Sequence, residues 1–370
     1  MNFEELLHTV LDAKNLNLPF VIYRMPEVKV VQAIVQKDDR LDYADDFSES
    51  GFIMAPFDIE RKAVLFAERN TNRFRSYLND GELSYVNSSK NETQASLSSE
   101  GKENHLKLVK KGIEGIKNGH FLKTVLSRSE TVMLKNLSIT NIFQKLMSQY
   151  QSAFVYVWFH PEIGLWAGAS PETLLKTKGK YFQTMSLAGT QKYTDTVDVL
   201  WGEKELREQQ LVTAHIIDSL DAVKLEVSET YTRKAGNLLH LCNDIKGSLT
   251  DGNSLEDIIE KLHPTAAVCG LPRKEVRDFI LKEEGYDRSF YTGFLGELNH
   301  RDDDESAEQE HSGGLESNLF VNLRCMQLLE GNNPEAIIYV GGGITLESDP
   351  LEEWKETVHK SLIMKSVIKA

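Results

Sequence analysis

The chain has 370 residues, 41% hydrophobic and 26% charged, the balance of an ordinary globular protein and not of a disordered, fibrous or membrane one. Fifty-six acidic residues against 42 basic leave a formal charge of −14, which repels phosphate backbones and argues against nucleic-acid partners. No window holds the roughly 18 continuous apolar residues that a membrane helix needs, and the opening MNFEELLHTVL carries acids where a signal peptide places bases, so a cytoplasmic location away from membranes is expected.

In chain order, residues 3–13 read as a short helix, and 20–36 as strands, because VIYRM and VKVVQAIVQ are β-branched and alternating. A further strand is expected at 63–67. Residues 86–104, VNSSKNETQASLSSEGKEN, are polar and almost without apolar anchors. They predict a mobile linker that sets off an N-terminal part, 1–104, from the remainder, 105–370. The sequon Asn91-Glu92-Thr93 inside it is idle without a secretory signal. Helical periodicity then appears at 106–118, 139–149, 204–222, 255–262 and 273–284. Strand-like runs lie at 124–132, 153–159, 164–169, 319–329 and 336–340. There is no regular βαβ repeat, and short polar turns join several strand pairs, so an α+β fold is expected, an antiparallel sheet core with helices outside it. Residues 300–318 carry seven acids in nineteen positions and read as a solvated hairpin tip. Cys242, Cys269 and Cys325 are too few and too scattered for a disulfide framework or a thiolate zinc site.

Several positions could carry chemistry. Glu205 and Glu208 share one side of a predicted helix with Val212 and Ile216, so that side points partly inward. Glu353 and Glu356 repeat the spacing on the terminal helix. Four carboxylates from two helices suit a hard cation such as Mg²⁺, and the same spacing is common on solvated helices. Lys123 opens an apolar strand; a desolvated amine of general-base character and a lysine snorkelling from a strand end both fit. Glu172 follows Pro171 at a strand end, either a catalytic station or a surface carboxylate. The runs Ser186-Leu187-Ala188-Gly189-Thr190 and Gly341-Gly342-Gly343-Ile344 place glycine directly after strands, where backbone N–H groups can approach a carboxylate. Neither is a nucleotide-binding signature. Arg324 reads as the one guanidinium set in an apolar strand, which requires an anion from the protein or from a ligand.

Taken in order, the segments LKTVLSR, GASPETLL, SLAGT, GEKELREQQLV, HPTAAVCGLPR, FYTGFLGEL, NLRC, GGGI and EEWKET resemble the chorismate-utilising enzymes over residues 106–362. The resemblance implies the fold of anthranilate synthase component I, two large antiparallel sheets facing each other and surrounded by helices. Residues 1–104 are then the variable front of that fold. The ammonia-using members typically carry P-I-K-G-T where this chain has SLAGT, so Ala188 and the matching Lys123 imply the water-using branch and no glutaminase subunit. Salicylate synthases usually carry Thr-Ala where this chain has Ala267-Val268, so the expected activity is that of an isochorismate synthase. A salicylate synthase, which goes on to eliminate pyruvate, is the alternative; a silent chorismate-binding subunit would lack the acid–base pair or the glutamates. The resemblance makes Lys123 the base for water at C2 of chorismate and Glu172 the acid for the C4 hydroxyl. It makes Glu208 and Glu356 the Mg²⁺ ligands, with Glu205 and Glu353 around them. Arg324, Tyr291 and the Gly341 N–H match the grip on the enolpyruvyl carboxylate, His240 matches a histidine beside the substrate, and Ala188, Gly189, Thr190, Ala267 and Val268 line the pocket. Isochorismate feeds menaquinone and siderophore or salicylate pathways alike, and a monomer is expected.

Overall fold

The computed structural model describes residues 1–79, 99–220, 224–235, 238–249, 254–301 and 314–368. The linker expectation and the sequon lie outside these residues up to 98, as does the acidic tip over 302–313; residues 99–104 are helical.

The front of the chain supplies α1 (Phe3–Asn15), β1 (Phe20–Arg24), β2 (Val30–Gln36), β3 (Gly51–Ala55), β4 (Val64–Ala67) and β5 (Thr71–Tyr77). Then come α2 (Ser99–Lys117), β6 (Lys123–Met133), α3 (Ile139–Gln149), β7 (Phe154–His160), β8 (Gly164–Ser170), β9 (Thr173–Lys178), β10 (Tyr181–Lys192) and α4 (Glu203–Ser219). The rest is β11 (Lys224–Val227), β12 (Tyr231–Ala235), β13 (Leu238–Ser248), α5 (Leu255–Leu262), β14 (Gly270–Leu271), α6 (Arg273–Glu283), β15 (Phe294–His300), β16 (Glu316–Val321), β17 (Cys325–Leu329), β18 (Glu335–Ile344) and α7 (Pro350–Ile368). One sheet runs β14-β6-β18-β17-β8-β7-β1-β2-β5 and the other β11-β13-β10-β9-β16-β15-β3-β4, with β12 also on β13. Neighbouring strands are antiparallel.

Strand alternation explains why the sheets face each other. In β7, Phe154, Tyr156 and Trp158 point into the space between the sheets, while Val155, Val157 and Phe159 pack on the other side with residues of α1, α3 and α7. In β3, Phe52 and Met54 point between the sheets and Ile53 and Ala55 away. A strand covered on both faces has no polar side to show, hence the continuous apolar runs. Aromatic rings fill the gap: Phe154 stacks on Phe320 at 4.4 Å and Phe66 on Trp158 at 5.2 Å. Strands from residues 1–79 belong to both sheets, β1 pairing with β7 along its whole length, so no break between cores falls at 104.

The expected run 319–329 is two strands in different sheets. At 322–324 the chain crosses from β16 to β17, and buried Asn322 fixes the crossing by accepting from the Tyr156 hydroxyl at 2.7 Å and donating to Phe290 O at 2.9 Å. Arg324 therefore sits in the break, at φ +48°, and not within a strand. Nor is it the one deep guanidinium, since Arg24, Arg128 and Arg288 are buried. Arg24 needs no anion because backbone carbonyls at the end of α3 receive it, Tyr150 O at 2.6 Å and Gln151 O at 2.9 Å.

Replacing Phe154 with Ala removes a fully buried ring from the inter-sheet stack. We expect a loss of about 3–5 kcal/mol, read from the urea midpoint at unchanged slope.

Candidate active site

The site is built on a strip of glycine in the middle of the first sheet. Gly341, Gly342 and Gly343 lie inside β18, paired to Ser127, Leu126 and Val125 of β6, so the sequence expectation that they follow the strand is corrected. Their missing side chains leave room for acids. A Cβ at Gly343 would lie 2.6 Å from Glu208 Oε1 and 3.3 Å from Lys123 Cε; one at Gly342 would lie 3.4 Å from Glu353 Oε2 and 3.6 Å from Glu356 Oε1. The carboxylates of α4 and α7 thus converge on backbone that only glycine makes accessible.

A cavity of about 130 Å³ opens beside this strip. Glu172, Ala188, Gly189, Thr190, Glu205, Glu208, His240, Ala267, Val268, Tyr291, Gly341 and Glu356 line it. Arg324 lines an adjoining cavity of about 100 Å³, which shares His240, Tyr291 and Gly341 with the first. Lys123 and Glu353 stand behind the lining, Lys123 Nζ at 2.8 Å from Glu208 Oε1 and Glu353 Oε1 at 3.2 Å from Lys204 Nζ. All the residues singled out in the sequence are therefore gathered at one place.

The Ala188-Gly189-Thr190 run is a bulge: the register between β10 and β13 shifts between Ala188 and Gln191, and Gly189 takes φ +65°. His240 pins it. Its Nδ1 is 3.1 Å from Gly189 O, a pure acceptor, so Nδ1 carries the proton and Nε2 accepts from Arg324 Nη2 at 3.3 Å. Burial, helped by Arg324, pushes the imidazole down to about 3, so it is neutral throughout the physiological range.

Glu172 is only 2% exposed. Burial pushes its carboxyl up to about 8 against the opposing charges of Lys123 and Arg233, so it carries a proton at neutral pH. This decides against the surface-carboxylate alternative. Glu208 behaves oppositely: burial would raise it, but Lys123, Lys204 and Lys360 together hold it below the usual range. Burial raises Glu353 despite hydrogen bonds from Ser348 and Lys204. Burial pushes Arg324 down to about 10, still a cation at neutral pH.

Sequence reasoning missed two lysines. Lys204 reaches from α4 to Glu353 of α7, and Lys360 holds Glu356 Oε1 at 2.7 Å and Gly341 O at 2.9 Å. The position of Lys360 four residues after Glu356 was a visible signal; the contact of Lys204 across 149 positions was not. It also missed Arg288, which pairs with Glu284 and donates to Val268 O at 2.9 Å and Val125 O at 2.7 Å, fixing two lining residues from behind.

The four glutamates suit a hard divalent cation, and Glu353 Oε2, which faces Gly342, is buried without a hydrogen-bond partner. Among the described residues no three acid, histidine or cysteine side chains stand close enough to ligate an ion as they are. Ammonium groups neutralise Glu208, Glu353 and Glu356 instead.

Two facing antiparallel sheets thus bring a protonated carboxyl and a glutamate-lined glycine strip to one cavity, with a buried lysine behind its lining. A family model described as chorismate binding enzyme matches residues 57–369, and the chain belongs to that family. It is 27% identical to the isochorismate synthase MenF of Haemophilus influenzae over 264 residues, 68% of this chain and 57% of that protein. It is also 27% identical to anthranilate synthase component 1 of Streptomyces coelicolor over 277 residues, 70% of this chain and 50% of that protein. The chain thus spans about half the length of these relatives. The menaquinone-specific isochorismate synthase MenF from Escherichia coli has the same fold, with a TM-score of 0.73 at 20% identity, over 95% of this chain and 89% of that one. Among the described residues no helix is long and apolar enough to cross a membrane.

The Glu172 carboxyl binds its proton more tightly in the folded state than in the unfolded one, so its contribution to stability is fully present below about 4.5 and lost as pH rises through about 8. Glu172→Gln removes that loss. The variant should exceed the wild type by about 3–5 kcal/mol in urea unfolding at pH 9 and differ little at pH 5.

Proposed function

We propose that the protein is an isochorismate synthase, converting chorismate reversibly to isochorismate by adding water at C2 and expelling the C4 hydroxyl. The observation that carries this reading is the combination at one cavity of Glu172, which lines it and bears a proton at neutral pH, with Lys123, which stands behind the lining 2.8 Å from the lining residue Glu208. Equal identity to isochorismate and anthranilate synthases does not separate water from ammonia as nucleophile. Ala188 does, because the ammonia users typically place lysine there.

In this mechanism Lys123 first gives up the proton it carries in its ion pair with Glu208; as the free amine it takes a proton from the attacking water, which restores the ammonium facing Glu208 Oε1. As the C2–O bond forms, the ring double bonds shift and the C4–O bond breaks; Glu172 gives its proton to the departing hydroxyl, which leaves as water. One water enters and one leaves, so the composition is unchanged. Arg324, held by His240, is the cation for the enolpyruvyl carboxylate, with Tyr291 and the Gly341 N–H. Glu208 and Glu356, with Glu205 and Glu353, would hold Mg²⁺, which when bound supplies positive charge to the ring carboxylate. A water-using enzyme needs no ammonia-delivering glutaminase, and we propose a chain that works as a monomer in the cytoplasm. Its three buried free cysteines accord with a reducing compartment.

Product analysis after incubation with chorismate and Mg²⁺ tests the assignment. Isochorismate approaching equilibrium with chorismate is expected, while sustained release of salicylate and pyruvate would move the enzyme to the lyase branch. Lys123→Ala and Glu172→Gln should each lower turnover by about 100-fold or more with substrate binding retained. Because Glu172 acts in its protonated form, forward turnover should fall as pH rises through about 8. Normal turnover in Glu172→Gln would remove it as the acid.

A further inference from the structure

The glutamates at the glycine strip are met by lysines arranged in an order of burial. Lys123, on Glu208, has a side chain 1% exposed; Lys360, on Glu356, is 24% exposed; Lys204, on Glu353, is 37% exposed. Lys123 is locked in the sheet, and Lys360 is tied a second time to Gly341 O. Among the described residues Lys204 makes one direct ion-pair contact, with Glu353 Oε1 at 3.2 Å, and it is the most exposed of the three lysines. That oxygen also accepts from Ser348 Oγ at 2.6 Å, so it keeps a partner if Lys204 leaves. The other oxygen, Oε2, is buried and unpartnered over Gly342, 3.4 Å from the position a Cβ would take and on the side of Glu356 Oε1.

We propose that Lys204 is an exchangeable internal counter-ion: in the cation-free enzyme its ammonium ties α4 to α7 and neutralises Glu353, and it swings into solvent when a divalent cation takes over that charge. This rests on the Mg²⁺ site of the proposed function. The carboxylate of Glu353 is 3% exposed and is costly to bury without a cation nearby. A site that must also accept a divalent ion cannot keep all three ammoniums in place, since each repels the incoming charge. The loosest one is the one to move. By linkage, what Lys204 contributes to the empty state is lost from the affinity of the loaded one.

The test is calorimetric titration with MgCl₂ alone, repeated with MnCl₂, together with melting curves with and without the metal, on wild type, Lys204→Met, Lys204→Arg and Glu356→Gln. Lys204→Met should bind the cation about fivefold or more tightly. It should melt about 2–4 °C below wild type without metal and level with it at saturating Mg²⁺. Lys204→Arg, which keeps the charge, should follow the wild type. An unchanged affinity in Lys204→Met, or a melting deficit that persists at saturating metal, would make Lys204 a plain strut and overturn the inference while wild-type binding and its loss in Glu356→Gln leave the metal site standing. Absence of cation binding in the wild type itself would overturn both.

Discussion

Everything at this site depends on neutralising like charges over a strip of bare backbone. Three glutamates from two helices, Glu208, Glu353 and Glu356, approach β18 where Gly342 and Gly343 offer no side chain, and each meets an ammonium group there. Remove the glycines and the acids cannot come close; remove the lysines and they repel one another in a poorly hydrated setting. The packing of α4 and α7 against the sheet region is therefore electrostatic at one end and apolar at the other, where Val212 and Ile216 of α4 and Met364 and Val367 of α7 join separate cores. Such a balance holds the helices in register yet leaves their acid ends responsive to charge.

The same strip couples the site to the rest of the fold. β18 lies between β6, which begins at Lys123, and β17, which begins just after Arg324, so base, glycine strip and guanidinium are set by adjacent strands of one sheet. Glu172 comes from the turn between β8 and β9, where the chain changes sheets, and its backbone is held by Val321 N and Ser170 Oγ. Behind the cavity, the buried Arg288–Glu284 pair ties Val125, Val268 and Ser127 together. A buried pair of this kind is weak evidence of stability but a strong constraint on position, because each of its hydrogen bonds fixes one backbone segment.

Much of the sheet core was legible because strands covered on both faces announce themselves as unbroken apolar runs: 153–159 was read within one residue of β7, and 255–262 coincides with α5. The polar strands β11 and β12, which carry Glu226, Thr232, Arg233 and Lys234, gave no such signal. The break at 322–324 was hidden because its cause, the bond from Tyr156 to Asn322, joins residues 166 positions apart. Site residue types were readable from motifs, but their states were not. Burial of Glu172 and the Lys204 bridge arise only when distant segments close around them.

The division of labour between Glu172 and Glu208 follows from their partners, not from their chemistry. Glu172 and Glu208 both feel burial and the same lysine. Glu208 has Lys123 in direct contact and two further lysines in its field, so the charged form wins; Glu172 feels Lys123 and Arg233 only at longer range, and desolvation wins. One side chain can then give a proton while the other steadies a cation, at the same pH and within the same cavity. A sequence pattern that supplied only two glutamates and a lysine could not have assigned those roles. The assignment comes from the few ångströms that separate an ion pair from a distant charge, and the glycine strip is what sets that distance for Glu208.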